Sequence, residues 1–123
     1  MIQTIMDNGA WQLWSFGPSL IVDGVSVASF DGALEREEIL NPRTAIGSSG
    51  SNHFMFVVVD GRSDISAGVD IVQLANIMKS LNCTTAYNFD GGSSSTMWFD
   101  GEVINNPSNG SERKLGDSVF ISK

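Results

Sequence analysis

Two stretches of the chain set an acidic residue against glycine in a way that could support chemistry: Asp60-Gly61-Arg62 and Asp90-Gly91-Gly92-Ser93-Ser94-Ser95-Thr96. The second offers several peptide N–H groups with little side-chain bulk around them, a backbone that can cradle an anion, while Ser94 and Thr96 add hydroxyl donors. Three arginines, Arg43, Arg62 and Arg113, each stand in a short polar setting beside a predicted strand or a loop. A guanidinium matches phosphate geometry bidentately and keeps its charge at any working pH. In an acidic chain, a pocket holding several of them would be a local positive site.

Each of these features also has a plain structural reading. Asp-Gly is a turn former, and the chain holds five such pairs. Asp23 and Asp100 fall between short apolar runs and read as hairpin turns. The arginines could pair with nearby carboxylates such as Glu112 or Asp64. His53 follows Asn52 in an expected turn and reads as a solvated position rather than a catalytic base. Cys83 is the lone cysteine, so no internal disulfide can form, and it reads as a small buried thiol. One histidine and one cysteine make a transition-metal site improbable. The aspartates leave room for an oxygen-only Ca²⁺ site, although no EF-hand spacing is present, and no other cofactor is expected. Ser94 lacks the Gly-x-Ser-x-Gly elbow of a serine nucleophile.

The elements that would position these residues follow from patterning. Alternation over Trp11 to Phe16 fits a strand ended by Gly17-Pro18. Leu20 to Val22 and Val25 to Val27 flank Asp23-Gly24 as a hairpin, and Thr96 to Phe99 and Glu102 to Ile104 do the same around Asp100-Gly101. The polar stretch from Phe30 to Asn41 reads as an exposed loop or a short helix. Pro42 pushes Asn41 into an extended conformation, and a strand starts at Arg43. Phe54 to Asp60 is a continuous apolar run, the pattern of a central strand buried on both faces. Ile71, Leu74, Ala75 and Met78 recur at helical spacing behind Asp70 as N-cap, with Asn82 as the stop. Thr84 to Phe89 reads as a second buried strand, and Ser118 to Ile121 as a closing one. The expected class is α+β: a mixed, largely antiparallel sheet with hairpins and one main amphipathic helix, about 70–82, packed on it. The passage from strand 54–60 through that helix to strand 84–89 has the length of a crossover, which would make those two strands a parallel pair whose terminal turns share one sheet edge.

Composition narrows the partners. A chain of 123 residues suits a single domain with one modest core. Its net charge of −7, with only seven lysines and arginines, disfavours nucleic acid, which needs clustered basic residues. A small phosphorylated ligand needs only a few arginines. The apolar runs are far shorter than a bilayer span, so no membrane insertion is expected, and no signal peptide is visible.

Taken in order, the motifs resemble one family. Ser15-Phe16-Gly17-Pro18, Asn41-Pro42-Arg43-Thr44-Ala45-Ile46-Gly47 and Phe56-Val57-Val58-Val59-Asp60-Gly61-Arg62 are followed by the helix with Leu74, Ala75 and Met78. Asn88-Phe89-Asp90-Gly91-Gly92-Ser93-Ser94-Ser95-Thr96-Met97, Asn106-Pro107-Ser108 and Glu112-Arg113 complete the series. At these separations they resemble the phosphodiester glycosidase family over nearly the whole chain. The family usually has a third glycine where Ser93 stands, and a left-handed backbone there would strain a serine by about 1–3 kcal/mol.

The resemblance implies that residues 1–123 form the C-terminal part of such a domain, with an upstream half that could arrive as a separate chain. It implies hydrolysis of the glycosidic bond in a sugar-1-phosphodiester, such as an N-acetylglucosamine-1-phosphodiester, on glycans or cell-surface polymers. Arg43, Arg62 and Arg113 would hold the phosphodiester, with hydrogen bonds from Gly91, Gly92, Ser94 and Thr96. Asp90 would be the first catalytic carboxylate, and Asp60 or Glu112 the second. The implied partner is a sugar phosphate or a glycan, and the implied place of action is outside the cell or at its surface. The rival reading is a non-catalytic module that binds anionic, teichoic-acid-like glycans through the same arginines.

Overall fold

The computed structural model describes residues 2–10, 12–29 and 39–121. Its main body is a five-stranded sheet in the order β2-β1-β5-β3-β4, formed by β1 (Ser19–Val22), β2 (Val25–Ser26), β3 (Arg43–Gly50), β4 (His53–Val59) and β5 (Thr85–Asn88). Every neighbouring pair in it is antiparallel. A second, two-stranded sheet pairs β6 (Trp98–Phe99) with β7 (Glu102–Val103). A short helix α1 (Ile2–Asp7) and the ten-residue helix α2 (Ile71–Ser80) complete the α+β architecture expected from the sequence.

Helix α2 forms for the reasons its sequence gives. Asp70 accepts a hydrogen bond from the Gln73 N–H at 2.7 Å, and the Gln73 side chain accepts one from the Asp70 N–H at 3.0 Å. This reciprocal capping box satisfies two of the donors that a helix start leaves unpaired. At the other end Asn82 takes a left-handed φ of +60° and ends the helix. Ile71, Leu74, Ala75 and Met78 are buried along one face and meet Leu20, Ile21, Ala45 and Ala86 from the sheet and Cys83 from the segment before β5. A register shift in the β1–β5 ladder between Ser19 and Ile21 accompanies the full burial of two consecutive residues, Leu20 and Ile21. The Cys83 thiol sits in this core, and burial raises its pKa. Both Asp-Gly hairpins form, with Asp23 and Gly24 at φ +49° and +76°, and Asp100 and Gly101 at +47° and +97°.

Several expectations are corrected. Strand 54–60 is not central: β4 is at the sheet edge, with Phe54 62% and Phe56 39% exposed. Its alternate residues Met55, Val57 and Val59 pack toward the core. A continuous apolar run shows that both faces are apolar, not that both are covered. Nor are β4 and β5 neighbours, because β3 lies between them, paired antiparallel to each. The two therefore still point the same way, and their C-terminal ends emerge at the same edge as the start of β3. Residues 12–16 are irregular rather than a strand, and so are residues 118–121, where Phe120 and Ile121 are about 80% exposed. The short helix α1 had no signal in the reading of the sequence. Most of the polar stretch 30–41 lies outside the described residues.

Candidate functional site

The shared edge is built around Asn41-Pro42. Asn41 and Val69 exchange backbone hydrogen bonds of 3.2 and 3.0 Å, which holds Asn41 extended, as the proline after it demands. Glycines from three other segments press against this dipeptide, since a Cβ on Gly61, Gly68 or Gly91 would collide with backbone of Asn41 or Pro42. On Gly91 it would meet the Pro42 carbonyl oxygen at 2.5 Å, and the Gly92 N–H donates to that same oxygen at 2.9 Å. The Asp-Gly pairs among the described residues thus divide in two. The hairpin pairs use left-handed backbone, whereas Gly91 has φ −122° and neither Asp60 nor Asp90 is left-handed. Their glycines serve close backbone approach, not turn reversal.

Around this hub lies an open cleft of about 170 Å³, lined by Phe16, Gly17, Asn41, Pro42, Arg43, Arg62, Asn88, Asp90, Gly91 and Gly92. That volume is below the roughly 300–1,000 Å³ of a complete small-molecule pocket. Asp90 is exposed in the cleft, and its carboxylate is fixed at both oxygens. Oδ1 accepts from the Gly91 N–H at 2.9 Å and Oδ2 from the Ser94 hydroxyl at 2.8 Å. Arg43 is 6% exposed, and its guanidinium donates to the carbonyls of Val69 at 3.0 Å and Ile39 at 2.9 Å. Arg62 is exposed and has a left-handed φ of +58°, a costly conformation for a long side chain. Its Nε and Nη2 both donate to Asn41 Oδ1, at 3.1 and 2.9 Å. The guanidinium lies against Gly92, where a Cβ would be 3.0 Å from Nη2.

The remaining sequence candidates are placed elsewhere. Asp60 does not line the cleft. It clamps the loop after β7, accepting from Asn105 Nδ2 at 3.1 Å, from the Asn106 N–H at 3.0 and 3.1 Å, and from Asn106 Nδ2 at 2.9 Å. Burial on its own would raise its carboxyl pKa, but the bonds from Asn106 and Asn105 outweigh it and hold the pKa below the ordinary value. Glu112 and Arg113 lie on an exposed irregular stretch and do not line the cleft. Ser94 is buried and engaged with Asp90, and Thr96 is half-buried outside the cleft lining. Of the turn's peptide N–H groups, those of Gly91, Gly92 and Ser94 donate to Asp90, Pro42 and Gly91. An anion cradle made of all of them would have to break these bonds. The left-handed residue of the turn is Gly92, at +61°, so Ser93 avoids the strain considered for it. Among the described residues no group of three or more His, Cys, Asp or Glu is placed to hold a metal ion.

Of the cleft residues outside the predicted site, two carry polar side chains, Asn88 and Asn41. Asn88 is 1% exposed, and its Nδ2 donates to the Gly17 carbonyl at 2.7 Å, with Oδ1 left as a buried acceptor without a donor among the described residues. A polar residue at an inward register of an apolar strand was the available signal. Asn41 was read for its backbone alone, although an amide beside the motif arginines is a ready acceptor.

The model of the phosphodiester glycosidase family matches residues 2–122, and the chain belongs to that family. It is 31% identical over 118 residues to the SPbeta prophage-derived uncharacterized protein YomE of Bacillus subtilis, covering 96% of this chain and 18% of that protein. Among solved structures, it superposes on the catalytic domain of zebrafish N-acetylglucosamine-1-phosphodiester alpha-N-acetylglucosaminidase, auto-inhibited by its pro-peptide, with a TM-score of 0.62 and 25% identity. That match covers 73% of this chain and 33% of the zebrafish one. A hypothetical protein from Synechocystis gives a TM-score of 0.62 at 26% identity, over 77% of this chain and 18% of the other. A putative exported protein from Burkholderia pseudomallei gives 0.54 at 38% identity, over 56% and 13%. The chain therefore spans a third or less of the relatives it matches.

Proposed function

We propose that the cleft binds the phosphate of a sugar-1-phosphodiester and that Asp90 serves hydrolysis of the bond between the sugar's C1 and the phosphate oxygen. The observation that carries this reading is the meeting of Arg43, Arg62 and Asp90 in one small cleft at one sheet edge. In the reaction, water adds to C1, the C1–O bond breaks, and the phosphate leaves as a monoester with the bonding electron pair. A phosphate is already a good leaving group, so its stabilisation by guanidinium can replace much of the help a general acid would give. Asp90, fixed by Gly91 and Ser94, is the carboxylate for attack on C1 or for activating the water. The zebrafish N-acetylglucosamine-1-phosphodiester alpha-N-acetylglucosaminidase and the putative exported protein of Burkholderia pseudomallei support N-acetylglucosamine-1-phosphodiesters on cell-surface or exopolysaccharide glycans as substrates, with action outside the cell.

Incubation with UDP-N-acetylglucosamine in ¹⁸O-water tests this directly. The expected result is free N-acetylglucosamine carrying the label, with none in the UDP. Label in the phosphate would mean P–O cleavage and overturn the proposal, as would release that survives Asp90→Asn.

One observation favours a second reading. Asp90 is the single carboxylate among the described cleft residues, whereas glycosidases usually flank the bond with two. A binding module for anionic, teichoic-acid-like glycans needs only the arginines. Saturable binding without sugar release would support it.

A further inference from the structure

We propose that Asn41 is the positioning residue for the phosphate-binding cation, acting through Arg62. This rests on the proposed function above. The geometry is specific: one oxygen, Asn41 Oδ1, accepts from both Nε and Nη2 of Arg62 at 3.1 and 2.9 Å. Two bonds to one acceptor hold the Nε–Nη2 edge of the guanidinium at that oxygen. The acceptor is itself anchored. Asn41 is held on both sides by its backbone exchange with Val69, and its Nδ2 donates to the Ile39 carbonyl at 3.4 Å. That last bond requires the amide nitrogen to face Ile39, which turns the oxygen toward Arg62.

The chemistry of the acceptor matters as much as its place. An aspartate here could accept the same two bonds, but it would cancel the charge it positions. Asparagine orients the guanidinium and leaves its positive charge for a ligand. Gly92 completes the device, because the absence of a side chain allows the guanidinium to lie against the Gly91-Gly92 turn beside Asp90. The left-handed Arg62 backbone also fits this role, since a disfavoured conformation persists where the surroundings determine it. A surface arginine that only solvated the fold would need neither the twin bond nor the strain.

The test is a double-mutant cycle on UDP-N-acetylglucosamine affinity, read by calorimetry, with thermal melting as a control. Asn41→Ala should weaken binding about five- to tenfold in the wild-type background, and less than twofold in Arg62→Ala, because the side chain acts through the arginine. Asn41→Asp keeps the shape and both bonds from Arg62 and gives up only the long bond to the Ile39 carbonyl, so its melting should fall no further than that of Asn41→Ala, yet binding should weaken at least as much and lose most of its dependence on salt. Equal losses from Asn41→Ala in both backgrounds would overturn the inference while leaving the proposed function intact. So would wild-type affinity in Asn41→Asp. Wild-type protein that binds no UDP-N-acetylglucosamine would overturn both readings together.

Discussion

Asn106 grips the carboxylate of Asp60 with both its backbone and its side chain: the N–H reaches Oδ1 and Oδ2 at 3.0 and 3.1 Å, and Nδ2 reaches Oδ2 at 2.9 Å. With Asn105 adding a bond of 3.1 Å, the acid at the end of β4 ties down the loop that follows β7, 45 residues further along the chain. Asn105 in turn donates to the Ser95 carbonyl and accepts from the Met97 N–H, so the clamp reaches the segment that leaves the Asp90 turn. In this place an aspartate is a strut.

Asp60→Ala should therefore destabilise the fold by about 1.5–3 kcal/mol, the range for hydrogen bonds to a charged group, with loss of loop order around residues 105–106. Asp60→Asn keeps the shape but turns one acceptor into a donor that faces Asn106 donors, and should lie between the two. Denaturant midpoints rank the three proteins. Hydrogen exchange at Asn106 should rise first.

The same clamp gives a pH dependence. A carboxyl whose folded pKa is lowered adds stability that is fully present above its unfolded pKa and is lost as pH falls through the folded one. Asp60 is such a group, since the bonds from Asn106 and Asn105 outweigh the effect of burial. Wild-type melting temperature should thus fall as the solution goes below about pH 4, and the fall should be smaller in Asp60→Ala. Matching pH profiles for the two proteins would remove the clamp from the account of acid stability.

Close backbone approach makes a second, independent prediction. Gly91→Ala would drive a Cβ to within 2.5 Å of the Pro42 carbonyl oxygen, and that oxygen already accepts from the Gly92 N–H. Backbone cannot give way as a flexible side chain can, so a loss of about 2–4 kcal/mol is expected, with the cleft distorted. Gly24→Ala is the control. Its φ of +76° also disfavours a side chain, but nothing lies within 4 Å of the added carbon, so the loss should stay near 1 kcal/mol. Chemical denaturation of the two variants separates packing from conformational preference.

That contrast also explains how much could be read from sequence. All Asp-Gly pairs look alike on paper, and the hairpin pair at Asp23 and the one at Asp100 follow from local rules of turn geometry. Helix α2 was legible for the same reason: its cap, its stripe and its stop are local. What could not be read was the use of Gly61 and Gly91 against Pro42, because their neighbour comes from a distant segment. The order of strands escaped for a related reason. The pattern of β4 records which of its residues are apolar, but the place of β3 between β4 and β5 depends on pairing across the whole sheet. The direction of the strands was right even though their adjacency was not, and direction alone brings Asp90 and Arg62 to one edge. Glu112 and Arg113 show the opposite case, since a motif position in sequence did not bring them to the cleft.

A last prediction concerns the hydroxyl that holds Asp90. Ser94 is 8% exposed and donates to Asp90 Oδ2 at 2.8 Å, its one side-chain hydrogen bond among the described residues. Ser94→Ala removes that donor with little change of volume, leaving Oδ1 on the Gly91 N–H as the remaining tether. If Asp90 is the carboxylate that acts at C1, its free oxygen then swings out of line, and kcat on UDP-N-acetylglucosamine should drop about tenfold. KM should stay within twofold, because in the proposed reading the arginines, not the serine, hold the phosphate. Ser94→Thr can restore the hydroxyl and should recover part of kcat. A Ser94→Ala enzyme that loses affinity while keeping its turnover would assign Asp90 to binding instead of catalysis.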